Sequence, residues 1–143
     1  MRSRLAVVPG LLLLAACRTE SPEAQVKRTF REMVKTAEAS DAPGTVAFLD
    51  PAFEGPEGLD RGTLQFLLLG IFRDQKVGVT VLQEAVRVDK RLAYQDVSLL
   101  LTGRSGKSLL PDDSSRKAYR LTWELKEKAW RLRRAELLAE PTP

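Results

Sequence analysis

The chain has 143 residues, with 23 Lys plus Arg against 19 Asp plus Glu and no histidine. Without an imidazole there is no histidine general base, no His-ligated metal and no serine triad of the usual kind. Cys17 is the single cysteine, so no intrachain disulfide forms and the core must hold by packing alone.

Arg2 and Arg4 make a positive n-region, and Leu5 to Leu14 make an apolar h-region shorter than the about 20 residues a bilayer-spanning helix takes. This pattern reads as an export signal. Ala15 and Ala16 stand directly before the cysteine, and Leu14-Ala15-Ala16-Cys17 resembles the lipobox of bacterial lipoproteins. That resemblance implies cleavage after Ala16, a diacylated Cys17 thiol and an acylated new amine. Two or more chains at roughly 0.8 kcal/mol per buried methylene give a stable membrane anchor. The mature chain is then expected at the bacterial cell envelope. Arg18, not Asp, follows the cysteine; by the sorting rule for such lipoproteins, a didermic host would carry it on the outer membrane, facing the periplasm.

Removing residues 1–16 from 143 leaves 127, enough for one domain and too few for two good cores. Without Arg2 and Arg4, 21 basic side chains face 19 acidic ones, a charge of about +2 that carries no nucleic-acid footprint. Residues 17–21 form a short lipidated tether, 22–139 the domain, and 140–143 a disordered tail.

Ser21-Pro22-Glu23 is a helix start, with a hydroxyl cap, proline at the first position and an acid in the first turn. Val26, Phe30, Met33, Val34 and Ala37 then fall on one helical face, opposite Lys27, Arg28, Arg31, Glu32 and Lys35. Asp41-Ala42-Pro43 stops and restarts the chain, and Thr45 to Leu49 is expected as a short second helix ended by Pro51. Asp50, beside that proline, reads as a stop or cap. Gly55-Pro56-Glu57-Gly58 is a loop, Asp60 a cap, and Leu64 to Phe72 a third helix, apolar on nearly all sides. It is expected to be buried in the core; its alternative is an apolar face that lines a cavity or docks a partner.

After Asp74 the hydrophobic period falls to two, and four strands follow. Lys76 to Val88 alternates with a slip of phase near Gln83-Glu84, which signals a bulge or bend. Leu92 to Thr102 sets Val97, Leu99 and Leu101 against Tyr94, Asp96 and Ser98. Arg116 to Lys126 sets Tyr119, Leu121, Trp123 and Leu125 against Ala118, Arg120, Thr122 and Glu124. A tight turn at Glu127-Lys128 leads into Ala129 to Leu138, with Trp130 and Leu132 on one face and Arg131 and Arg133 on the other. The fold class is therefore α+β, with three N-terminal helices packed on one face of a four-stranded antiparallel sheet.

This element order, with Tyr119-x-Leu121-x-Trp123 and Trp130-x-Leu132, resembles the nuclear transport factor 2-like (SnoaL-like) superfamily of cone-shaped domains over about Ser21 to Leu138. The resemblance implies a strongly curved sheet wrapped around an apolar cavity, with a carboxylate or tyrosine on the wall in the enzymes. It names no chemistry by itself. On such a wall would sit Tyr119, Leu121, Trp123, Gln95 and Leu132, with Arg134 and Glu136 continuing the Trp130 and Leu132 face. Gly103-Arg104-Ser105-Gly106-Lys107-Ser108 lacks the first glycine of a phosphate-binding loop, because position 101 is Leu101. Asp112-Asp113 lacks calcium-loop spacing, so Gly103 to Ser115 reads as a flexible connection.

Two functions follow as expectations. The first is a non-catalytic, membrane-anchored domain, without cofactor or metal, that binds an envelope protein partner or a small apolar ligand. The outer sheet face, with Arg116, Arg120, Glu124, Arg131 and Arg133, suits water or an acidic partner better than a greasy dimer. The second is a cavity enzyme of isomerase or dehydratase type, with Tyr119 as donor and Glu136 or Asp96 as base.

Overall fold

The structure is a computed structural model, and it describes residues 19–105, 108–109 and 115–138. Residues 1–18, with the signal segment and Cys17, positions 106–107 and 110–114 of the long connection, and residues 139–143, with the tail, lie outside the described residues.

Helix α1 spans Pro22–Glu38, and the Ser21 hydroxyl accepts from the Ala24 amide as its cap. Its apolar stripe is the expected one: Val26 and Phe30 are buried, and Met33 and Val34 pack against the same core. Helix α2 is only Ala42–Val46, capped by Asp41 through the Gly44 amide. Helix α3 runs Arg61–Asp74, and the Asp60 carboxylate accepts from the Thr63 amide at 2.7 Å.

The second helix read through Leu49 is a correction. Leu49–Glu54 is a strand, β1, parallel to the last strand of the sheet. Pro51 looked like a helix stop, but proline is equally at home on a sheet edge, where no amide is needed on the open side, and β1 is an edge strand.

Four long strands follow: β2 (Gln75–Asp89), β3 (Leu92–Ser105), β5 (Ser115–Lys126) and β6 (Ala129–Leu138), with the two-residue β4 (Ser108–Leu109) paired beside β3. The curved open sheet thus has five main strands in the order β1-β6-β5-β3-β2, one more than the four expected, and it is mixed, not purely antiparallel. The β5 to β6 turn holds both Glu127 and Lys128 at positive φ, the geometry of a two-residue hairpin turn matched to strand twist.

Two bulges set which side chains face inward. In β2 the register slips between Val81 and Gln83, so the inner row passes from Val77, Val79 and Val81 to Glu84, Val86 and Val88. In β6 it slips at Arg133: Trp123 pairs with Leu132, but Thr122 pairs with Arg134. One inserted residue moves every later side chain to the opposite face.

The core lies between α1 and the inner face. It comprises Val26, Phe30, Leu49, Phe53, Ala93, Val97, Leu99, Leu121, Trp123, Trp130 and Leu132. The expectation that α3 is a buried core helix is overturned. None of its side chains is buried, and although Leu64 packs on the core, Phe66, Leu67, Leu69 and Ile71 are all exposed.

Candidate functional site

The inner face of the sheet is the natural place to look, because its curvature and α1 enclose it. Strand alternation puts Gln95, Val97 and Leu99 of β3 beside Tyr119, Leu121 and Trp123 of β5, as the sequence pattern predicts. Their packing is that of a filled interior. Trp123 and Gln95 are fully buried, and Leu121 and Leu132 nearly so. The Trp123 indole donates to Gln95 Oε1 at 2.9 Å, and Gln95 Nε2 donates to Glu84 Oε2 at 2.7 Å. These four residues are therefore core, where a cavity wall was expected.

Glu84 is the inner-face residue that residue-type reasoning missed. Its side chain is only 10 % exposed, and its second oxygen faces the Arg31 guanidinium of α1 at 3.5 Å. The β2 bulge turns it inward, and the phase slip at Gln83-Glu84 was the available signal. The chain Trp123, Gln95, Glu84, Arg31 satisfies each buried polar group in turn, which is what a low-dielectric interior demands.

Tyr119 keeps its inner position between Val97 and Leu137. Burial pushes its phenol pKa upward, so the hydroxyl stays protonated and can donate a hydrogen bond. Its expected partners are elsewhere. Asp96 and Glu136 both pair across from Arg120, on the outer face, so the sheet itself separates them from Tyr119.

Arg134 and Glu136 also correct the cavity-lining expectation. The bulge at Arg133 sends both to the outer face, where Arg134 pairs with Glu54 at 3.1 Å and reaches Glu136 at 4.0 Å. There they help line an open groove of about 930 Å³ together with Tyr94, Asp96, Arg120 and Glu124. Asp96 and Arg120 form a two-pronged ion pair at 2.8 and 2.9 Å. The hydrogen bond from Arg120 holds the Asp96 carboxyl below the usual carboxylate range, so Asp96 stays ionised and serves poorly as a proton acceptor. Arg87 lies 4.9 Å over the Tyr94 ring, within cation-π range. The groove is polar and rich in mutually neutralised charge.

Asp50 is not the helix stop that Pro51 suggests, because it lies within strand β1. It is 1 % exposed in β1, with one oxygen accepting from the Ala52 amide and the other taken by the Lys126 ammonium. The Lys126 ammonium beside it outweighs burial and lowers the Asp50 pKa. This pair ties the edge strand to the end of β5.

No family model matches the sequence, and no curated protein matches it. Solved structures match the fold. A proposed scytalone dehydratase from Novosphingobium aromaticivorans superposes with a TM-score of 0.70 at 16 % identity, over 79 % of this chain and 80 % of that one. A proposed dehydratase of the nuclear transport factor 2-like family from Streptomyces avermitilis gives 0.68 at 14 % identity, over 82 % and 96 %. A nuclear transport factor 2-like protein from Cytophaga hutchinsonii gives 0.61 at 13 % identity, over 80 % and 94 %. At such identities the likeness carries the architecture and not the chemistry: the chain has the nuclear transport factor 2-like fold.

Proposed function

We propose that this chain is a membrane-anchored bacterial lipoprotein whose cone-shaped domain binds a protein partner at the cell envelope without catalysing a reaction. The supporting observation is the filled inner face. Trp123 and Gln95 occupy the place where a ligand would lie, and Glu84, the carboxylate there, is engaged by Gln95 and Arg31. Recognition then falls to the outer surfaces, among them the charged groove of Arg120, Asp96 and Arg134. The anchor at Cys17 rests on the Leu14-Ala15-Ala16-Cys17 resemblance.

Two measurements test this reading. Fatty-acid labelling of the expressed chain is expected to disappear in Cys17→Ala, with the protein moving to the soluble fraction; labelling that persists refutes the anchor. Cross-linking in intact cells, followed by capture, is expected to give a discrete adduct that the charge reversal Arg120→Glu abolishes. An adduct indifferent to Arg120→Glu, Arg134→Glu and Asp96→Arg removes the groove from the account.

One observation favours a second reading, a cavity enzyme of isomerase or dehydratase type. Glu84 sets a carboxylate on the same face of the sheet as Tyr119, and some fold neighbours are described as dehydratases. A small apolar ligand that raises the melting temperature of the wild type but not of Glu84→Gln would favour it over the binding domain.

A further inference from the structure

Helix α3 poses a problem that the packed cone does not solve. Its inward stripe, Arg61, Leu64, Gln65, Leu68 and Phe72, is partly covered, while Phe66, Leu67, Leu69 and Ile71 face water. Phe66 is 76 % exposed. One turn away on the same stripe stands Gly70, whose missing Cβ would meet nothing within 4 Å. A glycine in a helix interior weakens it relative to alanine, and among the described residues neither a positive φ nor a close neighbour requires this one.

We propose that this face is a self-association surface, and that its occupant is a second copy of the chain, packed antiparallel about a two-fold axis at the level of Leu68. In that arrangement residues on the line facing the partner, equally spaced before and after position 68, oppose one another. Phe66 meets Gly70 of the second copy, a contact that occurs twice, while Leu67 and Leu69, about 200° apart around the helix, flank it on opposite sides. The exposed ring fills the hollow that the glycine leaves, and the absent side chain lets the two backbones approach.

Charge agrees with this pairing. Asp60 lies at the start of α3, and Arg73 and Lys76 lie at and just beyond its end; neither base has an ion-pair partner among the described residues. Antiparallel packing brings Asp60 of each copy to the basic end of the other and opposes the two helix dipoles favourably. The area is of the right order. Taking about 200 Å² per large side chain, the four exposed apolar residues present on the order of 400 Å². A standard-size interface buries about 800 Å² per partner, so these four residues account for about half of it, in keeping with a weak dimer. The surface is separate from the charged groove, so the proposal stands or falls independently of the envelope-binding reading.

Sedimentation equilibrium on the chain lacking residues 1–17 tests it, since every core residue lies beyond that point. The expected result is a dimer with a micromolar dissociation constant, weakened at least about tenfold, or 1.4 kcal/mol, by Gly70→Glu. Open space at position 70 means that Gly70→Glu keeps the melting temperature of the dilute monomer. The exchange Phe66→Ala/Gly70→Phe places the ring opposite the hollow again and is expected to restore the dimer. A protein that stays monomeric at about 100 µM, far above such a constant, overturns the proposal. So does a dimer indifferent to Gly70→Glu but broken by Arg120→Glu, or a monomer that binds anionic vesicles through Phe66.

Discussion

The inner face of the sheet and the outward face of α3 are both built from large apolar residues, yet only the first is buried. Trp123 is fully enclosed, whereas Phe66 is 76 % exposed. The difference lies in what each can meet. Strand alternation delivers β3, β5 and β6 side chains to one plane, where α1 covers them with a single matching stripe. α3 is apolar around most of its circumference, and a helix can press only one side against its own domain. Hydrophobicity without periodicity thus leaves surface to be covered by something else.

The largest expected effect breaks the covered side. Trp123→Ala removes a fully buried ring and leaves the Gln95 carbonyl unpartnered, and should cost about 3–5 kcal/mol in urea unfolding. On the other side, Phe66→Ser should shift the stability of dilute monomer by no more than about 0.5 kcal/mol.

Asp50→Ala comes next. It leaves the Lys126 ammonium without its carboxylate, but that lysine is half-exposed and water can take over. A loss of about 1–3 kcal/mol is expected, less than for a pair buried at both ends. The pH dependence follows from a folded pKa below the unfolded value near 3.9. The contribution of Asp50 is complete above the unfolded pKa and fades as pH falls through the folded one. Acid unfolding of Asp50→Ala should therefore show a shallower loss of stability below about pH 4. Asp96 and Asp60, also lowered, keep the remaining slope.

The smallest effect concerns the turn. Glu127→Asn/Lys128→Gly places the favoured residue types at two positive-φ positions and should raise stability by about 0.5–1 kcal/mol.

The elements legible in the sequence are those whose pattern runs unbroken. β5 alternates cleanly from Tyr119 to Leu125, and its faces fall as read. α1 shows its cap and stripe in Ser21, Val26 and Phe30. β1 was hidden because Pro51 has two meanings, helix stop and edge strand, and only the pairing with β6 decides between them. Arg134 and Glu136 fall on the face opposite to the one simple alternation predicts, because the bulge at Arg133 interrupts it. Its trace was the doublet Arg133-Arg134, after which Ala135 and Leu137 resume the alternation one residue out of phase. Glu84 was lost to the same effect in β2. The Asp50 pair with Lys126 joins distant segments, and no local pattern announces it.

The proposed recognition through outer surfaces requires that the cone be filled. Diffraction from crystals under xenon pressure tests this most directly, because xenon enters apolar voids. The filled interior predicts no xenon bounded by Tyr119, Leu121, Trp123 and Glu84. Xenon density among those four side chains would contradict it and return the inner face to the role of a ligand cavity.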